Sequence, residues 1–502
     1  MISGIAASIA QAKYRIIFYE GSSGLIRSRP DVANSPLASL GSTRTFARSD
    51  ASLAWSTTPL LQLPHSHTLF AMLFYSAFLA LAFVTKAIPT PQDATAPVKR
   101  DVRVGWPYGS QKIRGVNLGG WLVLESFITP TLFEATGNDA IVDEYTFGQL
   151  QDRVVAEAAL KQHWDTWFTE NDFASIAAAG LNHVRIPIGY WAYDVREGEP
   201  YISGQAEYLD KAIAWSRYYG LKVLIDLHGA PGSQNGYDNS GRRGDALWAT
   251  DINNVKRCVD IIAQLAKKYS DPNYFGVVTA LALLNEPATY MNDQLLQTAR
   301  QYWYDAYKAA RYPFGTTDKS GLVLVLHDGF QPLSTFNGFM ELPEYEDVVM
   351  DTHNYQVFNN DFASWDWNKH ISGICDKAST YSTSPLWLVV GEWSLASTDC
   401  AKGLNGRGIG SRYDGTYAGS TYVGTCDDKS NDVTKFSEEY KDFLHKFWDV
   451  QTQVYEQNAQ GWIFWTWKTE SAADWSYLHG LKNGYIPLDA GQHDHPLSSL
   501  CG

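Results

Sequence analysis

The chain contains 502 residues, of which 45% are hydrophobic and 19% are charged, and its formal net charge is -14. This apolar content is ample for a folded core and excludes a largely disordered protein. The 40 basic residues are outnumbered by 54 acidic ones and form no dense block, so a nucleic-acid partner is disfavoured. The 18 tryptophans supply flat surfaces that fill cores and also stack on the apolar faces of sugar rings.

The first hundred residues differ in composition from the rest of the chain. They are rich in serine, alanine and leucine, contain no cysteine, and show no sustained helical or strand periodicity. We therefore assign no fold to residues 1–71, an extension for which an upstream start codon chosen in error is the simplest account.

We predict that residues 72–100 form a signal peptide and a propeptide-like linker. An apolar run from Met72 to Val84 is followed by small residues and prolines, which is typical of secretory signals. Counted from Leu69, the run approaches the lower limit for a membrane span, so a signal anchor is the alternative. The Lys-Arg pair at 99–100 is either a processing site, which would place the mature start near residue 101, or two solvated charges.

All five cysteines lie beyond residue 250, and a secretory signal favours disulfide bridges among them. The sequence itself leaves their pairing open. Cys258 lies on an amphipathic helical segment with Val255 and Ile262, and we predict that it is a buried free thiol.

From residue 111 onward, eight short apolar runs alternate with amphipathic helical segments, which is typical of parallel βα units. In chain order, the runs read IRGVNLGG, HVRIPIGY, KVLIDLHG, VVTALALLNEP, LVLVLHDG, VVMDTHNY, LWLVVGEWS and GWIFWTWK. Eight such strands close a TIM barrel. We therefore predict an α/β protein with a single (β/α)8 barrel domain over residues 101–502.

Polar and aromatic side chains are concentrated toward the carboxyl ends of these apolar runs. They are Arg185, His228, Asn285, Glu286, His327, Asp328, His353, Tyr355, Glu392, Trp465 and Trp467. In a barrel, the carboxyl ends of the strands meet at one face, and barrel active sites lie there. One polar residue at a strand end is often structural, but packing alone does not explain seven strands with the same pattern.

Two carboxylates in this set, Glu286 and Glu392, suggest a chemistry. A single glutamate at a strand end is usually an ion-pair partner. Two glutamates on different strands fit glycoside hydrolysis better, since that reaction needs one carboxylic acid to protonate the leaving oxygen and one carboxylate to attack or to activate water. Two carboxyl groups in one desolvated cleft also push their pKa values apart.

A metal site is the main rival, because His228, His327 and His353 are expected at the same face. They lie on separate strands and belong to no H-x-x-x-H or H-E-x-x-H motif, so we predict no metal and no other cofactor. The HDH run at 493–495 lies in a polar tail and is interpreted as a solvated segment. The chain has no G-x-S-x-G elbow, which disfavours a serine nucleophile. The GRGIG run at 406–410 follows no strand, which disfavours a nucleotide-binding loop.

Seven segments of the chain together resemble a known family. They read RGVNLGGWLVLE, VRIPIGYWA, IDLHGAPGSQNGYDNSG, LLNEP, DTHNYQVF, VGEWS and GWIFWTWKTE, in order, between about residues 103 and 501. This set is similar to the fungal exo-β-1,3-glucanases (glucan 1,3-β-glucosidases) of glycoside hydrolase family five. The resemblance implies a retaining double displacement with Glu286 as acid/base and Glu392 as nucleophile. It also places Asn285 at the sugar 2-hydroxyl, and Arg185 and Tyr355 as donors that keep the nucleophile ionised.

The resemblance assigns five further residues to substrate binding. They are Glu125, His228, Asn239, His353 and Trp465. Trp465 would form the platform under the sugar, and Trp467 is the alternative because residues two apart on a strand point the same way. Yeast relatives carry two phenylalanines at the cleft entrance, where this chain has Tyr237 and Phe358.

The resemblance also implies the disulfides Cys375–Cys501 and Cys400–Cys426. It implies a secreted enzyme, extracellular or in the cell wall, which releases glucose from the non-reducing ends of β-1,3-glucan. We expect a monomer with no stable membrane partner. A β-1,6-glucanase or a diglycosidase would use the same scaffold, and a non-catalytic wall-glucan-binding protein is disfavoured by the two intact glutamates.

Overall fold

The structure, a computed structural model, describes residues 103–502. The predicted extension, signal segment and dibasic site therefore lie outside the described residues. Within residues 103–502, no helix is both long and apolar enough to cross a membrane.

Eight parallel strands close into a barrel in chain order, which confirms the predicted (β/α)8 fold. Each strand coincides with one of the apolar runs, because buried parallel strands are apolar on both faces. The strands are β1 Ile113–Asn117, β2 His183–Gly189, β3 Lys222–Gly229, β4 Val278–Ala282, β5 Val323–His327, β6 Val348–Asn354, β7 Trp387–Trp393 and β8 Gly461–Phe464. Ile113 pairs with Gly461, which joins the first strand to the last.

Helices surround the barrel, and most connections between strands contain at least one. They are α1 Pro130–Glu134, α2 Glu144–Gln149, α3 Arg153–Thr166, α4 Glu170–Ala178, α5 Gln205–Tyr218, α6 Ile252–Tyr269, α7 Asp293–Arg311, α8 Asn360–Ala363, α9 Trp367–Cys375, α10 Ala378–Ser382, α11 Glu438–Asn458, α12 Tyr477–Asn483 and α13 Leu497–Leu500. The β5–β6 connection differs, since its helical part is the short 3₁₀ segment Leu333–Phe336.

The core has two layers, one between the strands and the helices and one inside the barrel. The inner layer consists of small and branched apolar side chains, as expected for a filled barrel. Its members are Ile113, Leu224, Ala280, Ala282, Val323, Val325, Val349, Val389 and Ile463. The polar residues lie beyond this apolar layer, at the carboxyl ends of the strands.

Two sequence expectations are wrong in detail. Arg185 is the third residue of β2 rather than its end. It reaches the polar face because the barrel is staggered, and it lies in register with Asn117, the last residue of β1. The segment 493–495 is not a solvated tail, since both of its histidines contact the buried carboxylate of Asp449 on α11.

Two disulfides join Cys375 to Cys501 and Cys400 to Cys426, as the resemblance implied. The fifth cysteine, Cys258, is buried and free, as predicted from its helical pattern. Burial raises the pKa of the Cys258 thiol to about 12, so it is an inert core residue.

The longer disulfide should contribute more to stability. It closes a separation of 126 residues, against 26 for the other, and the chain entropy lost on cross-linking grows with loop length. We expect the double change Cys375→Ser and Cys501→Ser to lower the free energy of unfolding by up to about 5 kcal/mol. The matched control, Cys400→Ser with Cys426→Ser, should lower it by up to about 3.5 kcal/mol. Denaturant titrations that reversed this order would contradict the expectation.

Candidate active site

A cavity of about 440 Å³ opens at the carboxyl ends of the strands, where the sequence placed its polar residues. Its volume falls within the usual range for small-ligand sites. The residues that line it are Glu125, Phe127, Tyr237, Asp238, Asn239, Glu286, Tyr290, Phe330, Tyr355, Phe358, Glu392, Leu404, Asn405, Arg412, Tyr417, Trp465 and Trp475. Both glutamates singled out in the sequence are in this set, and both are buried.

Glu286 follows β4 and is held by two side chains. Its φ is 43°, in the left-handed region that non-glycine residues seldom adopt, and such conformations concentrate at functional sites. The amide of Asn239 donates to Glu286 Oε2 at 2.8 Å, and Nδ1 of His353 lies 2.7 Å from Glu286 Oε1. Gln234 supports this loop by donating from Nε2 to the carbonyl oxygens of His228 and Asn285.

Glu392 lies on β7 and faces Glu286 across the cavity floor. Nη1 of Arg185 donates to Glu392 Oε1 at 2.7 Å, and the Tyr355 hydroxyl donates to Glu392 Oε2 at 3.0 Å. His353 Nδ1 lies 3.4 Å from the same Oε2. One imidazole nitrogen is therefore near both carboxylates.

Arg185 is fully buried and connects four strands of the barrel. It donates to Asn117 and Asn285, and it is paired with Asp226 at 3.1 Å as well as with Glu392. The amide nitrogen Nδ2 of Asn285 has no hydrogen-bond partner among the described residues. That donor is the one expected to meet a sugar hydroxyl.

Trp465, and not Trp467, lines the cavity. Its ring stacks on His228 with 5.6 Å between centroids and 9° between planes, while Nδ1 of His228 is fixed by Asp226 at 2.6 Å. Trp467 is buried, stacks on Tyr477, and takes no part in the lining. The strand alternation that made the two equivalent does not apply, because β8 ends at Phe464.

His353 controls the protonation of both glutamates. Burial opposes its charge, but Glu392 and Asp351 favour it and raise the pKa of His353 well above its usual value. Burial likewise opposes ionisation of Glu286, yet the hydrogen bond and charge of His353 lower the pKa of Glu286 to about 2. Burial raises the pKa of Glu392, against the opposing charges of His353 and Arg185.

These directions are the reverse of those expected for an acid and a nucleophile. The reason is that the imidazolium of His353 lies closer to Glu286, at 2.7 Å, than to Glu392, at 3.4 Å. These pKa directions favour a charged His353 beside an ionised Glu286, joined by the 2.7 Å contact between Nδ1 and Oε1.

The structure also brings together part of the predicted histidine set. Glu286, His327 and His353 offer ligand atoms that all lie within 4.8 Å of one another, whereas His228 is paired with Asp226. His327 uses Nδ1 to accept from the backbone N–H of Gly329. His353 in this cluster is also near the second glutamate, with Nδ1 3.4 Å from Glu392 Oε2.

Glu125 and the two aromatic residues at the entrance also line the cavity. Burial, reinforced by the neighbouring Asp238 and Glu392, raises the pKa of Glu125 well above its usual value. Tyr237 and Phe358 are 42% and 43% exposed, which fits side chains at a rim. The hydroxyls of Tyr237 and Tyr290 are hydrogen-bonded.

Several lining residues were not found from the sequence. Tyr290 and Phe330 lie in loops after β4 and β5, and Leu404, Asn405, Arg412 and Tyr417 come from the β7–α11 connection. None follows a strand directly, so the strand-end pattern did not include them. The signal that could have found the second group is the pair Cys400–Cys426, which brackets residues 404–417 and holds them over the cavity.

Two buried glutamates, supported by an arginine and a tyrosine beside a tryptophan platform, define the site of a glycoside hydrolase. The profile of the family described as Cellulase (glycosyl hydrolase family 5) matches residues 149–471. The chain belongs to glycosyl hydrolase family 5, and it is a glycoside hydrolase.

Curated relatives match most of the chain. A glucan 1,3-beta-glucosidase of Pichia angusta is 41% identical over 455 residues, which span 88% of this chain and 99% of the relative. A probable glucan 1,3-beta-glucosidase A of Neosartorya fischeri is 45% identical over 385 residues, or 76% and 89% of the two chains. The fold is also similar to that of a crystal structure of rutinosidase from Aspergillus niger, with a TM-score of 0.59 and 19% identity over 75% of this chain and 98% of that one.

Proposed function

We propose that the protein is a retaining glycosidase that removes glucose from the non-reducing ends of β-1,3-glucan. The observation that carries the reaction type is the position of His353. Its Nδ1 lies 2.7 Å from Glu286 Oε1 and 3.4 Å from Glu392 Oε2, so those two oxygens can be at most 6.1 Å apart. Retaining enzymes have carboxyl groups about 5 to 5.5 Å apart, whereas inverting enzymes need about 6.5 to 9.5 Å for an intervening water.

Each glutamate has partners suited to its role. Glu392 attacks the anomeric carbon, and Arg185 and Tyr355 orient it by two hydrogen bonds. Glu286 receives the proton of His353 Nδ1 through their shared hydrogen bond and passes it to the departing glycosidic oxygen, which leaves Glu286 as a carboxylate. In the second step, Glu286 takes a proton from water, which attacks the same carbon and releases Glu392.

The shape of the site supports removal of terminal sugars. A cavity of about 440 Å³ encloses a small ligand rather than a long chain. The β7–α11 connection contributes to one side of it and is cross-linked by Cys400–Cys426. We infer that this connection limits how far a glucan can extend past the glutamates.

The preference for β-1,3-glucan is supported by the names of the relatives, at 41% to 45% identity over most of the chain. Secretion is part of the same proposal. It is supported by the two disulfides, which persist in oxidising compartments, and by the apolar segment that begins at Met72.

Product analysis on three substrates tests the specificity. Laminarin carries β-1,3 linkages, pustulan carries β-1,6 linkages, and rutin is a diglycoside. We expect glucose as the first product from laminarin, with the other two hydrolysed far more slowly. Faster release from pustulan or rutin, or early oligosaccharides from laminarin, would contradict the proposal.

The aromatic entrance should contribute to binding of the second sugar. If Tyr237 and Phe358 form a slot, each stacked face contributes about 0.5 to 1.5 kcal/mol. We expect Tyr237→Ala and Phe358→Ala each to lower kcat/KM on laminarin about two- to tenfold. Affinity for a glucose-like inhibitor should be unchanged, as should the activity of the control Tyr218→Ala, whose ring is 78% exposed on α5. If the two variants lost thermal stability but kept a normal kcat/KM on laminarin, both rings would have only a packing role.

His353 should set the alkaline limb of the pH profile. The proton shared by His353 and Glu286 is lost only when the pH rises through the raised pKa of His353. In His353→Gln, Glu286 must hold the proton alone, so we expect the alkaline limb of kcat/KM to move to lower pH by about one unit or more. Burial keeps His327 uncharged by lowering its pKa, so His327→Gln should leave that limb in place. An unshifted limb in His353→Gln would refute the proton-sharing role.

A further inference from the structure

Three histidines and two aspartates form a cluster where α11 meets the segment that precedes α13, and none of them lines the cavity. His445 and Asp449 are one turn apart on α11, and His493, Asp494 and His495 belong to the segment that precedes α13. No step of glycoside hydrolysis uses any of them. Side chains four apart on a helix lie on one face, so the helix presents an imidazole and a carboxylate together.

The distances in this cluster resemble those between ligands of a tetrahedral zinc ion. Zinc–ligand bonds of about 2.0 to 2.2 Å place neighbouring ligand atoms about 3.3 Å apart. Nε2 of His445 lies 3.6 Å from Asp449 Oδ2 and 3.2 Å from Asp494 Oδ2. His495 Nδ1 lies 2.8 Å from the same Asp449 oxygen, as a hydrogen bond that would open slightly around a metal.

The carboxylate at the centre is unusually placed. The side chain of Asp449 is fully buried, and its Oδ1 has no hydrogen-bond partner among residues 103–502. Nδ1 of His493 is 3.5 Å from that atom. A buried carboxylate oxygen without a donor is costly, and a cation that is bound by both carboxylate oxygens of Asp449 would satisfy it.

We propose that this cluster is a structural Zn²⁺ site. His445, Asp449 and His495 supply three ligands, whose atoms all lie within 4.8 Å of one another. Asp494 supplies the fourth ligand. Its side chain is about half exposed, and its Oδ2 lies 3.2 Å from Nε2 of His445. Imidazole nitrogens and carboxylate oxygens are ligands that zinc prefers.

Bound zinc would fasten the C-terminal segment to the barrel. The Cys375–Cys501 disulfide secures the end of the chain, and the zinc site would secure residues 493–495 against α11. Gln453 already holds this segment, since it donates to the carbonyl of His495 and accepts from the N–H of Leu497. Variants that lack the zinc ligands should therefore still fold.

Calorimetric titration of the purified chain with zinc chloride tests the site. The variant is His445→Gln with His495→Gln, which keeps polar side chains but removes two ligands. The control is His479→Gln, on α12 and outside the cluster. We expect one zinc ion per chain in the native protein and the control, and binding weakened about a hundredfold or more in the variant. Free zinc at a hundred times Kd should raise the unfolding temperature by about 3 °C, except in the variant.

Two results would overturn the proposal. One is the absence of zinc binding by the native chain, which would mean that the cluster only forms hydrogen bonds within the protein. The other is unchanged binding in the variant, accompanied by inhibition of laminarin hydrolysis, which would place the zinc at Glu286, His327 and His353 instead. Laminarin activity without zinc should be the same in all three proteins, since no ligand of the site lines the cavity.

Discussion

Replacing Glu392 with glutamine should lower kcat on laminarin by at least about a thousandfold. The amide has nearly the same shape as the carboxylate but cannot form the glycosyl-enzyme bond. Binding of a glucose-like inhibitor should persist, because Arg185 and Tyr355 are still present to shape the site. Steady-state rates together with inhibitor titration measure both effects.

The matched control for this variant is Glu125→Gln. Glu125 is also a buried carboxyl of the cavity, but it lies outside the hydrogen-bond partners of the two catalytic candidates. We expect a loss of about tenfold there, since Glu125 lines the cavity and an amide keeps its shape and part of its hydrogen bonding. Near-normal turnover in Glu392→Gln would show that Glu392 is not the nucleophile.

Replacing Glu286 with glutamine should separate substrates by their leaving groups. General acid catalysis contributes about a hundred- to ten-thousandfold, and we expect kcat/KM on laminarin to fall by that amount. A dinitrophenyl glucoside, whose leaving group needs no proton, should keep kcat/KM within about tenfold. Its kcat should fall, because Glu286 also activates water in the second step, and added azide should restore it.

The comparison variant is Glu392→Gln, which should lose activity on both substrates alike because each needs the nucleophile. Parallel losses on laminarin and the aryl glucoside in Glu286→Gln would argue against an acid role. This contrast is available because Glu286 follows β4, Glu392 lies on β7, and the two have separate partners apart from His353.

Much of the fold could be predicted because the physical signal is local. Each barrel strand is buried on both faces, so each is an apolar run that can be recognised without knowledge of its neighbours. The position of Glu392 at the end of such a run locates it at the catalytic face. Arg185 was misplaced within its strand because the stagger of the barrel is a property of the closed sheet, not of β2 alone.

The rest depends on contacts between distant parts of the chain. Tyr290 and Tyr417 reach the cavity from loops, whose paths no periodicity describes. The order of the glutamate pKa values was unexpected because it follows from a difference of less than 1 Å in the distances from His353. The tail histidines near Asp449 were interpreted as solvated because nothing in their own segment indicates that α11 lies beneath them.

The stereochemistry of the first product distinguishes a double displacement through Glu392 from a single attack by water. Proton NMR recorded during the first minutes of laminarin hydrolysis distinguishes the two anomers of glucose before they interconvert. We expect β-glucose as the initial product, because two displacements at one carbon restore the configuration of the β-linked substrate. Initial α-glucose would mean a single displacement by water, and it would contradict the assignment of Glu392 as the nucleophile.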